Sequence, residues 1–338
     1  MASRSSWFRI GLAVLLVPLL AVAGAAVAAW WWLDRPLPLA TPSVELSVEP
    51  GDNPRSVAQA WVGAGVQTSP RLLYEWFRWS GQARRIRAGS YEVHAGVTPR
   101  SLLEKMVQGD ELLERVRFIE GWTLRQLRAE LARAPHLKPT TAGLSDAELM
   151  AAVGSPGVPA EGRFFPDTYV YSRGVSDLTV LKRAHRAMQQ HLAEAWAQRA
   201  PDTPLKSADE ALILASIVEK ETGLDADRGL VAGVFTNRLR IGMMLQTDPT
   251  VIYGLGEAFD GNLRRRDLET DTPFNTYTRG GLPPTPIALP GLASLRAAVR
   301  PEPTRALYFV AKGDGRSAFS ENLADHNRAV ARYQLNRR

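Results

Sequence analysis

Residues 208–221 read ADEALILASIVEKE, an apolar run that begins and ends with carboxylates. Helix formation explains the first pair. Ser207 and Glu210 make an S-x-x-E capping box, and Asp209 and Glu210 fall in the first turn, where the helix dipole favours negative charge. The last pair needs another reason. At about 100° per residue, Glu221 falls among Ala211, Leu214, Ile217 and Val218, while Glu219 points roughly the opposite way, near Leu212 and Ala215. A carboxylate on an apolar stripe is costly unless it is partnered or protonated. Burial raises its pKa, and a carboxylic acid that keeps its proton near neutral pH is what general acid catalysis requires. The other reading is a glutamate in a frayed last turn that reaches past the core into water. The wheel alone does not choose between them.

A second group of polar residues follows. Asn237-Arg238-Leu239 leads to Gln246-Thr247-Asp248-Pro249-Thr250 and Tyr253, and then to Asn275-Thr276-Tyr277 and Leu282-Pro283-Pro284. These segments read as too rich in Pro and Gly for helix interiors. Carbohydrate sites combine amides and hydroxyls for sugar hydroxyls with Tyr faces for sugar rings. Taken alone, the same residues read better as ordinary turn formers.

Other chemistries lack their residues. The five histidines (94, 136, 185, 191 and 326) never take the i, i+4 spacing of a zinc helix, and His185 and His191 read as surface residues. There is no phosphate loop, no GxSxG elbow and no cysteine. No metal or cofactor is expected. The net charge of +6 suits an acidic polymer, but the arginines are scattered, and nothing resembles a nucleic-acid module.

The elements that must position these residues come in two styles. Val44–Val48 alternates like a strand, residues 55–64 and 71–80 read as helices, and Ser90–Val93 reads as a second strand. This β-α-α-β order is how small glycan-binding LysM modules are built. Thr98 and Thr123 are expected helix N-caps, with Pro99 in a first turn and Gly109 as a stop. From about residue 117 helices dominate: 124–134, 178–198, 208–221 and 321–335, with a hairpin around Gly313-Asp314-Gly315. The fold class is therefore α+β. Ahead of both regions, Ile10–Leu33 is an uncharged run long enough to span a bilayer. Arg4 and Arg9 precede it, which places the N-terminus in the cytoplasm. A cleaved signal peptide is the alternative, but the run exceeds a typical signal core. The expected layout is a cytoplasmic segment 1–9, a transmembrane helix 10–33, a linker 34–42, a LysM-like module with its connecting helix 43–116, and a catalytic domain 117–338.

Together, LASIVEKET (214–222), FTNRLRIGMMLQTDPTVIYGLG (235–256), Asn275-Thr276-Tyr277, Leu282-Pro283-Pro284 and the upstream EGRFFPDTY (161–169) resemble the YceG-like (MltG) family of endolytic murein transglycosylases. The resemblance implies that Glu221 is the acid/base of a lyase that cuts peptidoglycan glycan strands between N-acetylmuramic acid and N-acetylglucosamine, leaving a 1,6-anhydro end. It also implies Glu161, Gln246, Thr247, Asp248, Tyr253, Asn275 and Tyr277 as substrate contacts. The implied place is the inner membrane, with the catalytic domain periplasmic and peptidoglycan synthases of the penicillin-binding class as partners. The rival readings are a muramidase pairing Glu221 with Asp248 or Glu161, and a non-catalytic wall-binding scaffold.

Overall fold

A computed structural model describes residues 4–49 and 51–335, with side chains from residue 19 to residue 334. The chain is α+β, and the strands of the described residues form three two-stranded sheets. It divides into two compact units, residues 1–114 with 172–174, and residues 115–171 with 175–338.

The first unit begins with helix α1, Arg4–Leu33. Among the described residues no helix is long and apolar enough to cross a membrane. The expected span 10–33 falls partly outside them, because side chains before residue 19 are not described. The remaining stretch is shorter than the roughly 20 residues that a bilayer core needs.

Strand β1, Ser43–Val48, pairs antiparallel with β2, Gly89–His94, and Val44 lies opposite Val93 and Leu46 opposite Tyr91. Between them run α2, Pro54–Ala64, and α3, Pro70–Trp79. Helix α4, Pro99–Gln108, follows. Each of these three helices opens with proline, which lacks only an N–H that the first turn leaves unused. Asn53 caps α2, a Thr98–Ser101 capping box opens α4, and Gly109 closes α4 in the left-handed conformation at φ 73°. The core of the unit is Trp61, Leu73, Phe77, Tyr91, Leu102 and Met106, all at or near zero exposure. The indole N–H of Trp61 is directed at the Met106 sulfur.

Strands β3, Leu113–Arg117, and β4, Thr168–Ser172, pair with each other. The second unit holds α5, Leu124–Arg133, α6, Asp146–Ala152, and α7, Asp177–Ala197. It continues with α8, Ala208–Glu221, α9, Asp225–Arg240, α10, Asp248–Leu255, α11, Arg265–Glu269, and α12, Leu292–Val299. The hairpin β5, Tyr308–Ala311, with β6, Ser317–Ser320, and then α13, Leu323–Val330, complete it.

Helix α8 is the axis of this unit. Every residue from Ala211 to Val218 is buried, with α7, α9, α10 and α12 packed around it. A helix that is apolar on all sides belongs inside a core. At roughly 2 kcal/mol for each large aliphatic side chain fully buried, packing rather than helix propensity holds it.

Three expectations change. Asp248–Leu255 is a helix, not a loop, because Pro249 lies in the first turn, where it is tolerated. His185 is buried at 4 % exposure, with its two ring nitrogens on Ser155 Oγ at 2.8 Å and the Arg163 carbonyl at 3.0 Å. Ser207 caps α8 through the Glu210 N–H, but the Glu210 carboxylate accepts from the Lys206 N–H instead of closing the box.

Candidate active site

Glu221 is the last residue of α8 and is partly buried. Thr222 stops the helix, its N–H and Oγ1 both donating to the Val218 carbonyl. One carboxyl oxygen of Glu221, Oε1, accepts the hydroxyl proton of Thr247. Desolvation raises the Glu221 pKa, and the nearby Asp248 raises it further. The Thr247 bond and the Arg238 cation pull the other way without reversing it. The negative end of the α8 dipole also disfavours the carboxylate. The Glu221 pKa thus lies above the usual carboxylate range, and the Thr247 hydroxyl engages Oε1.

The segment opposite Glu221 is held from below. Gln246 takes a left-handed backbone at φ 47°, which a non-glycine residue adopts only where its surroundings impose it. Its N–H donates to the Thr276 carbonyl at 3.1 Å, and the Thr247 N–H donates to Thr276 Oγ1 at 3.1 Å. Thr250 Oγ1 donates to the Thr247 carbonyl at 2.7 Å and lies 2.9 Å from Thr276 Oγ1. Thr247, Thr250 and Thr276 are all buried, so this hydroxyl cluster fixes the donor that meets Glu221. Asp248 is exposed and accepts from the Tyr277 hydroxyl at 2.6 Å.

A second carboxyl lies in the same unit. Glu161, 8 % exposed, accepts from the Leu124 N–H at 3.0 and 3.1 Å, the Gly162 N–H at 3.2 Å and the Tyr253 hydroxyl at 3.2 Å. Desolvation outweighs these donors and raises its pKa to about 7. With Leu124, Pro249, Ile252, Tyr253, Phe259 and Lys220 it lines a cavity of about 930 Å³. Gly162 follows it at φ 77°, where a Cβ would lie 2.5 Å from Pro286 Cβ, so only glycine fits. Tyr253 stacks edge-on against Phe274, with 4.9 Å between ring centroids.

The expected site residues therefore separate. Thr247, Asp248 and Tyr277 gather beside Glu221, with Gln246 setting the turn that delivers them. Glu161 and Tyr253 form the cavity wall. Asn275 does something else. Its amide nitrogen donates to the carbonyls of Leu268 at 2.9 Å and Thr270 at 2.7 Å, and its oxygen accepts the Tyr277 N–H at 2.9 Å. At zero exposure it folds the 267–277 loop and has no group left for a sugar.

Arg238 was read from the sequence only as a member of the second polar group, with no role of its own. It is 7 % exposed, and donates to the carbonyls of Leu307 at 2.7 Å and Leu245 at 2.6 Å. Its charge is the one that opposes the high pKa of Glu221. The signal was present: a cation in the last turn of α9, following the buried run Val231–Thr236.

Residues 46–332 match the sequence profile of the YceG-like family. The chain belongs to that family. It is 30 % identical over 308 residues to a Bacillus subtilis protein named endolytic murein transglycosylase, covering 86 % of this chain and 85 % of the relative. A Streptococcus pneumoniae protein of the same name is 26 % identical over 341 residues, and the match covers 61 % of its length. A crystal structure of a YceG-like protein from Listeria monocytogenes superposes with a TM-score of 0.55 at 29 % identity, covering 85 % of this chain and 98 % of the other. The family match includes both carboxyl sites, Glu161 with its cavity and Glu221 with Thr247.

Proposed function

We propose that this chain is an endolytic lytic transglycosylase of peptidoglycan, and that Glu221 is its acid/base. The observation that carries the residue assignment is the Glu221 carboxyl itself: crowded, raised in pKa, and bound through one oxygen only. The Oε2 proton passes to the oxygen between N-acetylmuramic acid and N-acetylglucosamine, and the bond from that oxygen to C1 breaks. An oxocarbenium-like centre develops at C1. The 6-hydroxyl of the same muramic acid attacks C1, and Glu221 takes its proton, which restores the acid and closes the 1,6-anhydro ring. The Thr247 hydroxyl stabilises the carboxylate formed between the two transfers. Hydrolytic glycosidases usually need a second carboxylate for water or for a covalent intermediate. Here the substrate supplies the nucleophile.

Glu161 is the feature that favours the muramidase reading, since its pKa of about 7 suits a base. Its two oxygens, however, are already engaged by two backbone N–H groups and a tyrosine hydroxyl. Its better role is to shape the cavity that receives the strand, with Tyr253 in the same wall. Asp248 and Tyr277 are the sugar contacts beside Glu221. The β-α-α-β unit, read as LysM-like, holds the glycan, and residues 10–33 anchor the chain in the inner membrane beside the synthases whose nascent strands it ends. The mass spectrum of glycan fragments tests the reaction, because the lytic product is lighter by one water and has no reducing end. Strand-length distributions unchanged in cells lacking the protein would remove the role in ending strands.

A further inference from the structure

The E-K-E triplet that closes α8 places two carboxylates at the negative end of a helix dipole, where each is unfavourable for the helix itself. Glu221 has a chemical reason to be there. Glu219 needs one. Its side chain is 8 % exposed, so its charge also needs a partner. Three consecutive side chains leave the last turn in three directions. Glu221 meets Thr247, Lys220 reaches the Gly121 carbonyl at 3.2 Å, and Glu219 turns to α9 and α12.

There Glu219 Oε2 accepts the Gly291 N–H at 2.9 Å and lies 3.3 Å from Arg228 Nη1. Gly291 is the N-cap of α12, and Glu219 accepts its N–H from another helix, the bond that the N3 side chain of a capping box makes within one helix. A Cβ at Gly291 would displace the Glu120 carboxylate, which lies against it. Arg228, 11 % exposed, also donates to Ser294 on α12 and to Asp225 at 2.6 Å. One buried ion pair thus joins the last turn of α8 to α9 and α12. Helix ends ordinarily fray, and here the end that would fray carries Glu221.

We infer that Glu219 is a positioning residue. Through Gly291 and Arg228 it clamps the terminal turn of α8, so that the Glu221 carboxyl is held at the Thr247 hydroxyl. This rests on Glu221 being the acid. Misplacing a catalytic group by about 1 Å costs on the order of a hundredfold in rate.

The test is kcat and KM for strand cutting by the full chain in detergent, comparing wild type with Glu219→Gln. The variant keeps the size and an acceptor for Gly291 but loses the charge that holds Arg228. Cutting is scored as all new glycan ends, anhydro or reducing, so a wrong reaction assignment does not mask the result. The expected outcome is at least a tenfold fall in kcat with KM within twofold, and partial recovery in Glu219→Asp. If Glu219→Gln does not fold, Ser294→Ala removes only the acceptor beyond Arg228, and the expected fall is two- to threefold. A kcat within twofold of wild type, with only the melting temperature lowered, overturns the inference in favour of a purely structural tie. A raised KM with unchanged kcat overturns it in favour of a substrate contact. A wild-type chain that makes no ends at all overturns the catalytic reading on which it rests.

Discussion

The Glu161 and Glu221 sites begin alike and end differently. Both carboxyls are raised in pKa chiefly by desolvation. Glu161 is surrounded by two backbone N–H groups and a tyrosine hydroxyl, so both its oxygens are engaged and it is fixed between α5, Gly162 and α10. Among the described residues Glu221 has one hydroxyl donor, on Oε1, and none on Oε2. Burial makes an acid in either place. The number of donors decides whether that acid can hand its proton to something else. One carboxyl is built to hold structure and the other to move a proton.

The largest effect that would sharpen this contrast is at Glu221. Glu221→Gln is expected to lower strand cutting about a thousandfold, in the range of a lost general acid, with the melting temperature changed little. Glu161→Gln is expected to lower kcat/KM only about tenfold, because the Tyr253 hydroxyl and the start of α5 lose their shared acceptor. If it abolished cutting as fully as Glu221→Gln, the comparison would break and the muramidase reading would gain its second carboxylate.

Glu161 should also give a signature in stability that needs no substrate. Its folded pKa of about 7 lies above the ordinary value of 4.5, so its contribution to stability is fully present below the ordinary value and is lost as pH rises through about 7. Thermal melting of wild type should therefore decline between pH 5 and pH 8 by more than that of Glu161→Gln. Equal declines would show that Glu161 does not titrate there.

Two smaller effects probe the Glu221 environment, with opposite signs. The Thr247 hydrogen bond lowers the pKa of Glu221, so Thr247→Val should move the alkaline limb of the kcat profile to higher pH while costing a few-fold in rate. The charge of Asp248 raises the same pKa, so Asp248→Asn should move that limb to lower pH, with the smallest rate change of the series. Shifts in the same direction would contradict the electrostatics assigned to the site.

Local signals carried much of this architecture. The bounds of α8, its Ser207 cap, the Thr98 and Thr123 caps and the Gly109 stop follow from residues within one turn of each other, and the structure has them. Features that depend on remote partners were out of reach. The wheel set Glu219 opposite Glu221, near Leu212 and Ala215, and named no partner for it. With α7, α9, α10 and α12 around the helix, Ala211–Val218 is buried on every side, and Arg228 partners Glu219 beyond it. His185 was misread for the same reason, since Ser155 and Arg163, which satisfy it, lie far along the chain. Asn275 has the composition of a sugar contact, but its hydrogen bonds go to its own loop. Pro249 disguised α10 because proline marks a helix start as well as a break.

The central claim is that a single open carboxyl suffices because the substrate provides the nucleophile. Its most direct test is the mass spectrum of glycan fragments released from purified peptidoglycan by the full chain and by Glu221→Gln. The account predicts 1,6-anhydro ends from wild type and none from the variant. Reducing ends from wild type, or anhydro ends that persist in Glu221→Gln, would contradict it.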